Sequence, residues 1–310
     1  MPQGVAELFG HWVAANVVEA RMDLIPRIEQ GLSMALARRC GEPGPPKLAA
    51  AMRHAVFPGG ARIRPRLCLA VAMACGEDAP ALADAGAVAV ELLHCASLVH
   101  DDLPCFDNAA VRRGRPSVQH AFGERLAVLA GDALIVLAFD VIAQAAYAHP
   151  ARAVGMLQIL ARGVGMPDGI AAGQAWECET RVALADYQRA KTGALFVAAG
   201  QCGALAAAAD ALPWEEFGQC LGEAYQVADD IRDVVASTVE LGKPAGQDLL
   251  LGRPSAAEEL GLEGALERFR SLVDRAQRAV PRCRNQSTMR ALIQMEAARL
   301  LPADLMARAA

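Results

Sequence analysis

The stretch from 81 to 99 is almost entirely apolar and ends in two adjacent aspartates, Asp101 and Asp102. Its length and composition are typical of a helix that is buried on most sides. Pro80 stands just before it, and Asp107 follows close behind. Three carboxylates at the end of an apolar helix are costly to hold together, and core packing gives no reason for them. The stretch therefore predicts a buried helix that carries a functional acidic cluster.

Helical apolar spacing recurs along the chain, and no segment shows the alternation of a strand. Hydrophobic residues make up 54% of the 310 residues and aromatic residues only 5%, so the core is mostly aliphatic and alanine side chains. Because no linker divides the chain, we predict one all-α domain over 1–310, with 1–40 as a peripheral N-terminal helix. The other predicted helices are 47–56, 67–75, 81–99, 126–148, 151–163, 168–182, 185–208, 214–234, 255–280 and 285–300.

Charge and cysteine usage exclude several classes of protein. A net charge of −5 leaves no basic surplus for a nucleic-acid backbone. Nine scattered cysteines without a CxxC pair disfavour a disulfide framework or a zinc site and indicate a reducing, cytoplasmic environment. The N-terminus lacks the pattern of a signal peptide. Polar residues interrupt the longest apolar runs, 126–148 and 193–209, so we expect a soluble protein without a membrane span.

A second aspartate cluster closes another largely uncharged helix. Asp229 and Asp233 are one helical turn apart and project from the same face, whereas Asp230 lies off that face, so we expect Asp230→Ala to be mild. A single cluster of this kind is usually just an acidic helix face that is exposed to solvent. Two clusters that both close apolar helices favour a shared site for Mg²⁺, which prefers carboxylate and phosphate oxygens. A di-iron site is disfavoured because Glu91 and His94 form the single Glu-x-x-His pattern.

Cationic side chains lie in or beside several loops, most of them next to glycine. Glycine lets backbone N–H groups approach phosphate oxygens, so these loops are candidates for anion recognition. Two acidic clusters and two separate cationic sets indicate two phosphorylated ligands. The cationic residues are Arg62, Arg64, Arg112, Arg113, Lys191 and Lys243.

The order of these motifs resembles the trans-isoprenyl diphosphate synthases over nearly the whole chain. Within that family the chain looks most like the geranylgeranyl diphosphate synthases of bacterial pigment pathways. The resemblance implies a helical bundle around a deep central cavity, a homodimer and a role in carotenoid biosynthesis. The segments that carry it are 57–65, 101–107, 112–116, 131–134, 172–177, 191–193, 225–233 and 242–248.

The resemblance also implies a mechanism. Three Mg²⁺ ions would bind the diphosphate of an allylic substrate and stabilise its negative charge as the C–O bond breaks. Isopentenyl diphosphate would attack the allylic cation and then lose a proton to the departed diphosphate. The implied metal ligands are Asp101, Asp107, Asp229 and Asp233, with Asp102 in support; Arg112, Lys191 and Lys243 would bind the allylic diphosphate, Thr192 and Gln226 would shield the cation, and Arg64, His94 and Arg113 would bind isopentenyl diphosphate.

Several positions depart from the family pattern, and among them Gln247 and Arg253 stand where lysines are common in the last loop. Ala61 replaces the lysine that helps the family bind isopentenyl diphosphate. Losing a charged hydrogen bond to phosphate costs about 1.5–3 kcal/mol, and Arg62 is the candidate that compensates as a substrate-binding residue. Arg232 stands in the second motif where an apolar residue is usual, which changes the local charge.

A growing prenyl tail is expected to run down the helix that ends in Asp101. In the family a bulky aromatic at the position of Ala96 stops growth at fifteen carbons. An alanine leaves the path open for another helical turn of about 5.4 Å, close to one isoprene unit. Ser97 lies beside Ala96. Leu92 and Leu93, one turn further from Asp101, are candidates for the residues that stop the growing tail at the bottom of its path (the floor). We predict (all-E)-geranylgeranyl diphosphate as the product; the alternatives are a farnesyl diphosphate synthase or a non-catalytic partner subunit that binds prenyl diphosphates.

Overall fold

The computed structural model describes residues 24–40, 44–180, 183–235, 255–301 and 305. Helices dominate these residues, which confirms the all-α prediction. They are α1 (Ile25–Cys40), α2 (Pro46–Val56), α3 (Ile63–Cys75), α4 (Pro80–Asp101), α5 (Val118–Phe122), α6 (Glu124–Ala145), α7 (Pro150–Val164), α8 (Ile170–Ala175), α9 (Leu184–Gln188), α10 (Ala194–Ala206), α11 (Trp214–Val235), α12 (Ala256–Ala279) and α13 (Gln286–Leu300). A 3₁₀ turn spans Trp176–Cys178 and a π-helical turn spans Arg189–Gly193.

Proline begins three of these helices, at Pro46, Pro80 and Pro150. The missing N–H of proline costs nothing in the first turn, where the amide has no partner within the helix. Two predictions were wrong in detail. The segment 168–182 holds a short helix and a 3₁₀ turn, and the segment 185–208 is interrupted by the π-helical turn.

A short antiparallel hairpin, β1 (Val111–Arg112) and β2 (Arg115–Pro116), was not predicted. Arg113 and Gly114 form its turn with φ of 54° and 73°. A two-residue turn with positive φ at both positions matches the twist of a hairpin. Strands of two residues are too short for an alternating pattern, so sequence periodicity misses them.

Helix α10 lies at the centre of the bundle, where it packs against α3, α4, α7 and α11. Apart from Gln201, its side chains are apolar or small on all faces, and Leu195 and Phe196 are fully buried. A helix that is hydrophobic all round requires neighbours on every side. This helix therefore fixes where the surrounding helices can lie.

The core extends from α1 to α13. Ile28, Leu32 and Leu36 of α1 are almost completely buried, so residues 25–40 belong to the core on one face and are not merely peripheral. A second apolar cluster joins α11, α12 and α13. Ile63 and Tyr225 pack against both clusters and so connect them.

Among the described residues, α4 and α6 are long and apolar enough to cross a membrane by length and composition alone, whereas the run 126–148 was expected to fall short of that. Asp132 and Asp140 do not lower the hydropathy of α6 enough to prevent this. In α4, 78% of the apolar window is buried, as in a core helix, whereas in α6 only 39% is buried. Helix α6 therefore presents an apolar surface that the described residues do not cover.

Candidate active site

A cavity of about 350 Å³ lies beside the C-terminal half of α4. Its other walls are formed by the loop between α2 and α3 (57–62, called the glycine loop below), the hairpin, the π-helical turn and α11. The structure therefore brings together both aspartate clusters and two cationic loops from distant parts of the sequence. The predicted site residues on its wall are Arg62, Arg64, His94, Ser97, Asp101, Asp107, Arg112, Arg113, Lys191, Thr192, Gln226 and Asp229.

Other predicted residues lie elsewhere. Asp102 and Asp233 are buried and lie outside the cavity lining. The candidate chain-length residues Leu92, Leu93 and Ala96 are buried in the core, so of that set Ser97 alone reaches the wall. Lys243, the remaining predicted site residue, belongs to a segment outside the described residues.

The first acidic cluster forms because the chain turns back after α4. The Asp107 N–H donates to the Asp101 carbonyl oxygen at 2.9 Å, which brings the two side chains together. Glu177 joins them, and one carboxylate oxygen from each of Asp101, Asp107 and Glu177 lies within 4.8 Å of the others. Three convergent carboxylates are the hard oxygen donors that Mg²⁺ prefers. This donor set fits a divalent cation.

Glu177 was not predicted as a site residue. It follows Gln174 by three residues, a spacing that places both on one helical face. The Gln174 amide donates to Asp101 Oδ1 at 3.4 Å, and the Tyr187 hydroxyl donates to Glu177 Oε1 at 2.7 Å. The Gln174–Glu177 spacing, read together with the first aspartate cluster, was the available signal.

Asp102 supports the site from behind the cavity wall. Its Oδ1 accepts hydrogen bonds from Arg112 Nε at 2.9 Å and from Arg112 Nη2 at 2.5 Å. Burial raises the pKa of Asp102 to about 6, while the Arg112 guanidinium opposes that rise. Arg112 also lies 4.0 Å from carboxylate oxygens of Asp101 and Asp107. Asp102 thus fixes the hairpin arginine beside the acidic cluster.

The hairpin turn carries Arg113 into the cavity next to the glycine loop. A Cβ at position 60 would lie 3.1 Å from Arg113 Nε, so Gly60 allows a close approach that a larger residue would hinder. Positive φ at Arg113 is uncommon outside glycine and is held here by the hairpin. The two arginines of the motif consequently point to different parts of the site.

Lys191 and Thr192 lie on the π-helical turn between α9 and α10. Turns of this kind occur mostly as short interruptions of α-helices, often at functional sites. Gly173 packs against this turn, because a Cβ there would lie 2.3 Å from the Lys191 backbone nitrogen. Lys191 Nζ forms an ion pair with Glu177 and lies 3.6 Å from Asp101 Oδ1. The turn therefore delivers a cation to the first acidic cluster.

A hydrogen-bond chain joins the π-helical turn to the second aspartate motif. The Thr192 hydroxyl donates to Gln226 Oε1 at 2.6 Å, and Gln226 Nε2 donates to Asp230 Oδ1 at 2.8 Å. Asp230 Oδ2 also accepts from Gln188 Nε2 at 3.2 Å and from the Ala256 N–H at 2.8 Å. Asp230 is 2% exposed, so it is a buried junction of α9, α11 and α12.

Arg62 does not have the role predicted for it. Its guanidinium donates to Glu29 of α1 at 2.8 Å, to Glu91 of α4 at 2.5 Å and to the Val56 carbonyl at 2.8 Å. The side chain is 1% exposed. Because these acceptors engage all three guanidinium nitrogens, Arg62 anchors the glycine loop and does not replace a phosphate-binding lysine.

Arg64 forms the cationic side of the cavity. It lies over the rings of Phe196 and Tyr225, with its guanidinium carbon 4.6 and 5.6 Å from their centroids, and its Nη1 is 3.5 Å from His94 Nε2. Burial and the nearby Arg113 lower the pKa of Arg64. Burial, Arg64 and Arg113 likewise hold the pKa of His94 well below its ordinary value, so its ring is neutral. This corner of the cavity favours an anion.

Comparison with known proteins agrees with this geometry. A geranylgeranyl diphosphate synthase of Cereibacter sphaeroides is 53% identical over 282 residues, covering 91% of this chain and 98% of its own length. The Rhodobacter capsulatus enzyme of the same name is 48% identical and covers 90% and 97%. A Helicobacter pylori geranyltransferase, solved with magnesium and isoprenyl diphosphate, matches with a TM-score of 0.74 at 29% identity and covers 88% and 97%.

The family model described as polyprenyl synthetase matches residues 45–287, which include the whole cavity wall. The match and the two close relatives confirm the resemblance that the motifs indicate. The chain therefore belongs to the polyprenyl synthetase family.

Proposed function

We propose that the chain is a chain-elongating prenyltransferase, which condenses isopentenyl diphosphate with allylic diphosphates to form geranylgeranyl diphosphate. The observation that carries this proposal is one cavity with the Asp101–Asp107–Glu177 carboxylate cluster on one part of its wall and the buried Arg64 guanidinium on another. Such a cavity can hold one phosphorylated substrate through metal ions bound to the carboxylates and a second one directly through the arginine. The names of the two close relatives support the same reaction and product.

The proposed metal ligands are Asp101, Asp107 and Asp229, with Glu177 added because its carboxylate completes the first cluster. Three Mg²⁺ ions are the number that the family resemblance implies. When bound, they supply positive charge that stabilises the leaving diphosphate. Asp102 takes part through Arg112, and Asp233 stays a predicted ligand one turn beyond Asp229.

The chain's own side chains complete the proposed mechanism. Lys191 and Arg112 lie beside the first acidic cluster and bind the allylic diphosphate as charge develops on it. The Thr192 hydroxyl and the Gln226 amide present their dipoles to the allylic cation. Arg64, Arg113 and the neutral His94 hold isopentenyl diphosphate, whose double bond attacks that cation. The departed diphosphate takes the released proton, so no protein nucleophile is required.

Incubation of the purified chain with Mg²⁺, isopentenyl diphosphate and each allylic primer tests the proposal. We expect an elongated product of twenty carbons, identified by chromatography against prenyl alcohol standards after phosphatase treatment. A fifteen-carbon end product would favour the farnesyl alternative. No elongation with any primer would favour the non-catalytic partner subunit.

The length of the product gives a further prediction. Ala96→Phe is expected to shift the main product from twenty to fifteen carbons, because the larger side chain blocks one more helical turn of about 5.4 Å. Ser97→Phe is the matched variant, since Ser97 lies on the cavity wall while Ala96 is buried. Product sizing by chromatography decides between them. If Ser97→Phe shortened the product and Ala96→Phe did not, the tail would follow the cavity wall. This result would contradict the prediction that the residue at position 96 limits the length of the product.

A homodimer is part of the same proposal. Val136 of α6 and Val154 of α7 are 69% and 54% exposed, and they line one apolar groove together with Leu157. We assign this groove to a second copy of the chain and not to lipid, because Asp132 on the exposed side of α6 is 60% exposed at its side chain and Asp140 lines the groove. A charged residue facing lipid is costly. The cytoplasm is the proposed location.

Val136→Glu is therefore expected to convert the dimer to a monomer at micromolar concentration, because it places a charge in an apolar interface. Light scattering after size-exclusion chromatography measures the mass. Leu212→Glu is the matched control, since Leu212 is 68% exposed in the connection between α10 and α11. Equal masses for both variants would contradict the assigned interface.

A further inference from the structure

The cations on the cavity wall differ in whether a carboxylate already neutralises them. Arg62 is held by Glu29 and Glu91, and Lys191 is paired with Glu177. Arg64 is different, because its buried Nε has no hydrogen-bond partner among the described residues. A buried guanidinium nitrogen without a hydrogen-bond partner is unfavourable, so this part of the cavity favours an anionic ligand.

Arg232 lines the same cavity as Arg64 but lies on another element. It stands one turn after Asp229 on α11, lines the cavity, and is 30% exposed at its side chain. Its guanidinium carbon is 6.0 Å from the Tyr225 ring centroid, and that of Arg64 is 5.6 Å from the same centroid. Both guanidinium groups therefore lie near the Tyr225 ring on the wall of one cavity.

The hydrogen bonds of Arg232 leave it available to a ligand. Its Nη2 donates to Asp229 Oδ1 at 2.8 Å, and its Nε is 3.3 Å from the Ala228 carbonyl. Both acceptors are on its own helix, and a partly exposed pair at this spacing contributes only modestly to stability. Asp229 is also a proposed metal ligand, and a carboxylate that binds a cation holds a second cation less strongly. Arg232 can therefore turn toward the substrate while Arg62 cannot.

We propose that Arg232 is a third guanidinium of the isopentenyl diphosphate site, together with Arg64 and Arg113. The inference rests on the proposed function, since it deepens the assignment of that substrate's site. A diphosphate presents more acceptor oxygens than two arginines satisfy, and the planar guanidinium fork matches phosphate oxygens well. Arg232 supplies this contact from α11, across the cavity from the glycine loop that carries Ala61.

Arg232→Gln tests the proposal by removing the charge and keeping a polar side chain. We expect the dissociation constant for isopentenyl diphosphate, measured by calorimetry with a chelator present, to rise about tenfold. The KM for isopentenyl diphosphate should rise similarly with Mg²⁺ present, while the KM for the allylic substrate changes less than about twofold. Arg232→Lys should restore part of the affinity. Arg268→Gln is the matched control, because Arg268 of α12 pairs with Glu223 of α11 outside the cavity.

Three results would overturn the assignment: unchanged affinity in Arg232→Gln, an equal loss for both substrates, or no binding by the parent protein in chelator. The last would show that a site built from arginines alone does not hold this ligand. The calorimetric measurement does not depend on turnover, so failure of the proposed reaction and failure of the Arg232 assignment remain distinguishable.

Discussion

Asp101→Asn is expected to lower kcat by about a thousandfold or more while the protein stays folded. One carboxylate of Asp101 converges with Asp107 and Glu177, and its loss removes a proposed ligand of the ions that stabilise the leaving diphosphate. A thousandfold change corresponds to about 4 kcal/mol of transition-state stabilisation, which is the scale of metal-assisted charge stabilisation. Steady-state kinetics at saturating substrates measure the effect.

The stability of the same variant separates a functional role from a structural one. Asp101 ends α4, where a carboxylate meets the negative end of the helix dipole beside other carboxylates. Neutralising it is not expected to lower the unfolding temperature without metal. Mg²⁺ with inorganic diphosphate should stabilise the parent and not the variant. Asp186→Asn, whose carboxylate pairs with the exposed Arg189, is the control, and a kcat within tenfold of the parent for Asp101→Asn would contradict the metal site.

Asp230→Ala is expected to destabilise the protein by about 3–5 kcal/mol and to lower kcat at least tenfold. This result reverses the mild effect that the helical face of Asp230 indicates. The substitution leaves Gln188, Gln226 and the Ala256 N–H without their buried acceptor. It also frees the Gln226 amide to rotate, so Thr192 loses its oriented partner. Denaturant unfolding and steady-state kinetics measure the two effects.

Asp229→Asn is the natural contrast, because the two aspartates are adjacent and have opposite surroundings. Asp229 is about one-third exposed at its side chain and pairs with Arg232, whereas Asp230 is buried. We expect Asp229→Asn to lose activity with little change in unfolding free energy. If Asp230→Ala proved as stable as Asp229→Asn, the hydrogen-bond junction would have no structural importance.

The second acidic motif shows what a local sequence pattern can predict about a side chain and what it cannot. Residues one turn apart must share a helical face, so the sequence determines that Asp229 and Asp233 point one way and Asp230 another. It does not determine what that other side meets. The structure places Asp230 against α9 and the start of α12, because α11 and α12 pack together after a long connection. A residue that lies off the shared face can therefore still be important through the partners that it meets there.

Arg62 shows the same limit for a loop residue. An arginine beside glycines in a phosphate-binding pattern is locally equivalent to its neighbour Arg64. Glu29 and Glu91 decide between them, since only one of the two guanidinium groups lies within reach of both carboxylates. Those carboxylates come from α1 and α4, and no spacing within the loop reveals them.

The sequence by itself determined the helical class, the helix that ends in Asp101, the positions of most helices and the family. These follow from apolar periodicity, proline at helix starts and ordered motifs, all of which are local along the chain. Tertiary structure alone decided that Glu177 joins Asp101 and Asp107, that Asp102 accepts hydrogen bonds from Arg112, and that Arg62 is held by Glu29 and Glu91 while Arg232 faces the cavity. The physical reason is that a side chain's role depends on which charges and hydrogen-bond partners reach it, and those come from helices far away in sequence.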